Sequence, residues 1–387
     1  MSPIPFALPG NSRLVALTAV SLAGLTLCGQ GIAAAQDASQ PVAITITGKG
    51  CEPNAVTVPE GKSTFKIKNA SARVLEWEIL DGVMVVEERE NIVPGFVMTL
   101  TATLKAGQYQ MTCGLLSNPK GTITVTAGGS TTAAKAEPGA SDLAGPLAEY
   151  KTYVTKEVGD LVTQTKNFTD AVKAGKLQEA QSLYAPTRQH YERIEPVAEL
   201  FSDLDRSIDA RANDFEKKEN DPAFRGYHRI EKALFAEKTT TGMEPVADRL
   251  MHDVQELQSR IAGLDIQPAK MVGGAAALIE EVAATKISGE EELYSGMDLW
   301  DFQANVDGAQ KIFDLLHPLI VTKNPKLDTR IQANFTKVDG LLALYRNKER
   351  QMANYDTLSP RDRNALKGAI TALAEDLSQL RGTLGLD

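Results

Sequence analysis

The chain changes its hydrophobic period once, and that change limits its fold more than any other feature. From Val42 to Val125, apolar and polar residues alternate in short runs rich in β-branched side chains. After Leu143, apolar residues recur every three or four positions over long stretches. A strand shows alternate side chains to one face and a helix those three or four apart, so neither half suits the other's structure. Between the halves, residues 127–142 are rich in Gly, Ser, Thr and Ala, lack apolar periodicity and are expected to form a flexible linker. The predicted fold class is therefore multidomain: an all-β sandwich over residues 36–126 and an all-α helical bundle over residues 143–387. A length of 387 residues suits more than one core.

Arg13 precedes the apolar run Leu14 to Leu27, and Ala33-Ala34-Ala35 offers a small-residue exit, so residues 1–35 read as a secretory signal peptide. Leu25-Thr26-Leu27-Cys28 loosely resembles a lipobox, but Leu27 stands where a small residue is wanted, which favours cleavage after Ala35. The mature chain then keeps Cys51 and Cys113 in an oxidising compartment. No later stretch is long enough for a transmembrane segment. Acidic residues outnumber basic ones 50 to 41, a net charge of -9, which argues against nucleic acid as a partner.

In the first half, strands are expected at Ala43–Thr47, Ala55–Val58, Ser63–Lys68, Leu75–Leu80, Thr99–Leu104, Tyr109–Thr112 and Thr122–Val125. Turn signals at Gly48, Pro59-Glu60-Gly61, Pro94-Gly95 and Ala106-Gly107 separate them, the pattern of a small antiparallel sandwich. The acidic run from Val85 to Asn91 reads as a solvated loop. Cys113, just past a strand after Gly107-x-Tyr109, resembles the C-terminal loop of cupredoxins, and Glu76 falls where that fold places its first histidine ligand. A blue-copper centre needs two histidines, and residues 36–126 contain none. Cys51, Glu76 and Cys113, with Glu78 or Met111 nearby, could hold copper or iron. A Cys51–Cys113 disulfide is the other reading.

In the second half, prolines at 186, 196, 222, 245, 268, 318, 325 and 360 punctuate seven to nine expected helices. The last is the plainest: Ser359 as cap, Pro360 in the first turn, and Leu366, Ile370, Leu373, Leu377 and Leu380 as one stripe. Ser288 and Glu291 suggest a capping box for another. His228 and Glu231, one turn apart, share a helix face and can offer nitrogen and oxygen to one metal ion. Further carboxylates one turn apart are Glu192 with Glu195 and Asp298 with Asp301, as candidate additional ligands. Glu290, Glu291 and Glu292 read as a first turn that complements a helix dipole. His190, His252 and His317 read as structural or surface residues. Arg229 and Lys232 stand where a zincin's glutamate and second histidine would be, and no Gly-x-Ser-x-Gly elbow occurs.

Signal peptide, cupredoxin-like sandwich, linker and a helical half carrying Gly226-x-His228-x-x-Glu231-Lys232-Ala233-Leu234 together resemble the EfeO family of periplasmic iron-uptake components. Leu75 to Leu80, Val83 to Ile92, Met111 to Leu116, Lys286 to Glu292 and Asp301 to Ala309 carry the same resemblance. It implies an imelysin-type, peptidase-like helical domain whose metal site uses His228 and Glu231, and a second site at Cys51, Glu76 and Cys113. The implied function is capture of ferrous or ferric iron in the periplasm, with redox help from a copper or iron site in the sandwich. The implied partners are an inner-membrane iron permease and a periplasmic haem peroxidase. A metallopeptidase using His-x-x-Glu and a non-catalytic protein-interaction module are the alternatives.

Overall fold

The structure, a computed structural model, describes residues 40–128, 142–349 and 351–386. The expected signal peptide and most of the expected linker lie outside the described residues. Nine strands occur among the described residues: β1 Val42–Thr47, β2 Gly50–Glu52, β3 Ala55–Pro59, β4 Gly61–Asn69, β5 Leu75–Asp81, β6 Met84–Ile92, β7 Val97–Leu104, β8 Gly107–Met111 and β9 Gly121–Thr126. They form two sheets, ordered β2-β1-β4-β7 and β3-β9-β8-β5-β6. Alternation turns Ile44, Ile46, Phe65 and Ile67 inward from one sheet to meet Trp77, Ile79, Met111 and Ile123 of the other. Phe65 and Trp77 pack with ring centroids 5.2 Å apart.

The sandwich is not wholly antiparallel, as expected from its turns. β1 pairs parallel with β4, and β3 parallel with β9. Turn residues mark where a strand ends but not which sheet the next one joins. After β2 the chain crosses to the other sheet at β3 and returns at β4, so β3 pairs with neither β2 nor β4.

The helical half contains α1 Ala144–Lys173, α2 Leu177–Glu192, α3 Glu195–Ala198, α4 Ser202–Ile208, α5 Gly226–Glu231, α6 Glu244–Gly263, α7 Pro268–Ala284, α8 Asp298–Lys323, α9 Pro325–Ala343, α10 Pro360–Leu377 and α11 Leu380–Leu384. The short α3, α4, α5 and α11 carry this beyond nine, since segments of four to seven residues are too brief to show a period. α1 packs on α2 and α6, and α8 on α7 and α9. In α10, Ser359 Oγ accepts from the Asp362 N–H at 3.2 Å, and Leu366, Ile370, Leu373 and Leu377 are buried. The capping box at Ser288 does not form. Ser288 Oγ donates instead to the Thr285 carbonyl at 2.7 Å, and Gly289 turns the chain left-handed at φ +81°. Glu290 to Glu292 thus lie in a turn ahead of α8 rather than in a helix start.

The acidic stretch expected as a loop is β6, an edge strand, and it docks the sandwich on the helical half. Val85 N–H donates to the Leu200 carbonyl at 3.0 Å and Ser202 N–H to the Val83 carbonyl at 3.1 Å. An open sheet edge is thereby paired rather than left to associate. A second attachment lies across the interface, where Leu116 N–H donates to the Asp214 carbonyl at 3.0 Å. There Arg73 Nη1 also donates to the carbonyls of Asn213 and Phe215, at 3.1 and 3.2 Å. Between the two attachments a cleft of about 370 Å³ remains open.

α5 is aimed by its first residue. Gly226 has φ +79°, and a Cβ there would collide with the Ile208 carbonyl at the end of α4. Only glycine combines that dihedral with that approach. Gly226→Ala should lower stability by about 2 kcal/mol or more, the scale of a left-handed non-glycine plus a backbone clash. Urea denaturation monitored by circular dichroism checks this; a midpoint equal to wild type would show that α4 yields freely.

Candidate metal centre

Two buried cations organise the interior of the helical half. Arg188, on α2 and fully buried, lies 2.5 Å from Glu192, 2.7 Å from Glu292, 3.4 Å from Glu291 and 3.7 Å from Asp301, and pairs closely with Asp209. Lys286, also fully buried, lies 2.9 Å from Glu192, 2.8 Å from Glu195, 3.4 Å from Glu281 and 3.9 Å from Glu291. Asn305 Nδ2 ties Glu195 and Glu192 together at 2.8 and 3.1 Å. Carboxylates this deep persist as charges only when paired.

α5 places His228 against this cluster, 1% exposed. Its Nδ1 lies 3.1 Å from Glu231 Oε2, while Glu231 Oε1 accepts from the N–H groups of Tyr294 and Ser295, each at 2.8 Å. Among the described residues its Nε2 has no hydrogen-bond partner, and it lies 3.7 Å from Asp209 Oδ1 and 3.9 Å from Glu291 Oε1. One ligand atom from each of Asp209, His228 and Glu291 falls within 4.8 Å of the others. Burial, then the Arg188 charge, pushes the His228 pKa down to about 4, which leaves the ring neutral with a lone pair available. Burial raises Glu291, but Lys286, Arg211, His228 and Arg188 more than offset it and hold the group well below the ordinary carboxylate range. A neutral imidazole facing oxygen donors, its other nitrogen held by a carboxylate, is the arrangement of a metal-binding histidine. After α5 the chain continues as a π-helical turn, Lys232–Ala236, a form common beside functional sites.

The structure brings His228, Glu231, Glu192, Glu195, Asp298 and Asp301 into one buried cluster and divides their work. Glu231 spends both oxygens on the ring and two amides, so the geometry makes it a positioning group. Glu192 and Glu195 are engaged by Lys286 and Asn305. Asp298 Oδ1 accepts from the Glu292 N–H at 3.2 Å. Asp301 has no partner within hydrogen-bond reach on either oxygen. Of the groups facing Nε2, Asp209 carries no sequence signal, and Glu291 belongs to an acidic set that the sequence offers as a possible ligand source but that reads more readily as a helix start. Asp209 lies at no fixed spacing from His228, and the turn that carries Glu291 read as a helix start. His190, read from the sequence as a structural or surface residue, has its Nδ1 2.8 Å from Glu157 Oε2.

The sandwich site is corrected. Cys51 and Cys113 form a disulfide between the two sheets, with Cα atoms 5.1 Å apart, so neither sulfur is a thiolate donor for copper or iron. Glu76 faces the cleft instead, together with Glu90, Glu195, Glu199, Asp209 and Glu291. Burial, and then Glu78, pushes the Glu76 pKa up to about 8. Burial raises Glu78 to about 7 despite Arg206, and Asp205 to about 8 despite the Tyr191 hydroxyl.

A sequence model of the imelysin family matches residues 146–380, and one of the cupredoxin-like domain matches residues 16–125. The fold and site thus define a cupredoxin-like sandwich joined to an imelysin helical domain. "Iron uptake system component EfeO" of Yersinia pseudotuberculosis serotype I (strain IP32953) is 61% identical over 370 residues, 96% of this chain and 98% of that protein. The protein of the same name from Escherichia coli O1:K1 / APEC is 60% identical over 346 residues, 89% of this chain and 92% of its own length. The chain belongs to the EfeO family. A solved structure, "Novel Purple Cupredoxin from Nitrosopumilus maritimus", aligns with 22% of this chain and 99% of its own at 17% identity, with a TM-score of 0.19.

Glu76, Glu78 and Asp205 have folded pKa values above their ordinary ones. Such groups stabilise the docked state fully below about pH 4 and lose that contribution as pH rises through 7 to 8. Docking of the sandwich should therefore loosen between pH 6 and 9. Amide protection factors of Val85 and Ser202 check this, and equal protection at both ends of the range would contradict it.

Proposed function

We propose that this chain is an exported iron-binding component of an iron uptake system, which captures the ion at His228, Asp209 and Glu291 and passes it to an inner-membrane permease. The observation that carries the reading is the His228 Nε2 lone pair, buried and without a hydrogen-bond partner, facing two carboxylates. The names of the relatives support iron as the cargo.

The chemistry follows from the charges. His228 supplies a nitrogen, and Asp209 and Glu291 supply hard oxygens, a set suited to iron. Asp301, without a hydrogen-bond partner among the described residues and 3.7 Å from Arg188, is a further oxygen donor in the same cluster. Without cargo, Arg188 and Arg211 hold these oxygens. An arriving cation takes over that neutralisation, and the guanidiniums take it back on release. The cleft, rimmed by carboxylates of both modules, is the route in and out. Residues 1–35 as signal peptide, residues 127–142 as linker, a periplasmic location and a haem peroxidase partner complete the proposal. Among the described residues no helix is long and apolar enough to cross a membrane.

Equilibrium dialysis with ferrous iron under anaerobic conditions, and with ferric iron in air, tests the reading. Wild type should bind tightly, His228→Ala and Asp209→Asn/Glu291→Gln should lose that affinity, and Glu231→Ala should weaken it about 10- to 100-fold by freeing the ring. Unchanged affinity in His228→Ala would overturn the site. Peptide turnover lost in the same variant would instead establish the metallopeptidase reading.

A further inference from the structure

Where the cleft reaches the surface, the sandwich carries an apolar tip. Val93, Phe96 and Val97, at the turn between β6 and β7, are 47%, 63% and 52% exposed, and Val74, which also lines the cleft, is 45% exposed. Single exposed apolar residues are ordinary; four together, one of them a phenylalanine at a turn apex, are not.

The tip is built firmly. Val93-Pro94-Gly95-Phe96 is a Pro-Gly turn with Gly95 at φ +84°, closed by the Phe96 N–H to the Val93 carbonyl at 3.0 Å. Buried Asn69 ties it to the Val74 turn. Its Nδ2 donates to the Arg73 and Ile92 carbonyls, both at 2.6 Å, and its own carbonyl accepts from the Gly95 N–H at 2.8 Å. The apolar side chains are therefore presented by a fixed frame, and little ordering cost remains for whatever they enter.

The charge beside the tip is mainly basic. Residues 40–128 carry eight basic and eight acidic side chains, but they are sorted. Glu76, Glu78, Glu87, Glu88 and Glu90 lie on β5 and β6, the strands on the side of the helical half. Lys62, Lys66 and Lys68 project from the exposed face of β4, with Lys68 directly beside Val97 in the ladder and Lys66 beside Thr99. On β7 that face adds Thr99, Thr101 and Thr103, without charge, and across β1 it carries Glu52, in line with Thr45 and Lys68, so three lysines face one acid there.

We propose that this face docks on an anionic lipid bilayer, with Val93, Phe96 and Val97 entering the interface and Lys66 and Lys68 meeting lipid phosphates. The charge of the face selects this occupant. An apolar wedge flanked by lysines complements a surface that is apolar beneath and negative on top. Because Val74 belongs to both patch and cleft rim, docking brings the membrane beside the cleft. Only the identity of what leaves the cleft rests on the proposed function.

The test is vesicle co-sedimentation of the chain expressed from Gln36 onward, so that the apolar run 14–27 does not itself insert. Vesicles of phosphatidylglycerol and phosphatidylcholine, 1:1, are compared with phosphatidylcholine alone. Binding should require the anionic lipid and fall with salt. Lys66→Ala/Lys68→Ala should weaken it about thirtyfold, and Phe96→Ser about tenfold or more. Iron titration and circular dichroism of the same variants should match wild type, so a failure of iron binding would be read separately from a failure of docking. No binding to anionic vesicles would overturn the proposal. So would equal binding by wild type and variants, or a wild-type dimer that Phe96→Ser dissolves, which would assign the patch to a second copy.

Discussion

The Arg188 guanidinium is the contact on which the rest of the helical half depends. It sits wholly out of solvent among Asp209, Glu192, Glu291, Glu292 and Asp301. Those acids arrive on α2, on the residue after α4, on the turn before α8 and on α8 itself. Removing one member of a buried ion pair costs about 3–5 kcal/mol, because the other is left uncompensated. Here one cation answers several anions, so the elements can close around the site only with the cation in place. Lys286 does the same for Glu192, Glu195 and Glu281. Replacing buried ion pairs with an apolar core of similar volume is often neutral or stabilising, so a charged interior of this kind is not explained by stability alone.

The sandwich reads differently once it is seen beside that interior. Its disulfide and its lack of histidine leave it without the donors of a blue-copper centre. What it contributes is a wall. β6 seals its own edge on the loop before α4, and Glu76 and Glu90 close the cleft opposite Glu195 and Glu199. A cupredoxin-like frame is used here to shape and charge one side of a cleft.

Much of the architecture was legible beforehand. The period change at residues 127–142, the apolar stripe of α10 with its Ser359 cap, and the inward residues of β1, β4, β5 and β9 all follow from local geometry. Strand β6 was not legible, because its glutamates look solvated until a second module covers them. Parallel pairing in the sandwich was not legible either, since turn residues say nothing about which sheet a strand joins. At the site, His228 and Glu231 stood out through helical spacing, whereas Asp209 and Glu291 lie on separate loops with no periodic signature.

What the sequence determined by itself was whatever depends on near neighbours along the chain: two kinds of secondary structure, their caps and turns, and the His228–Glu231 pair one turn apart. The tertiary structure alone decided the partners of those residues. It set Glu231 against the His228 ring, joined the two cysteines to each other, and set Asp209 and Glu291 before the other ring nitrogen. The physical reason is that spacing along a helix constrains atoms about one turn apart, while ligation and charge compensation act between atoms that only folding brings within 4 Å.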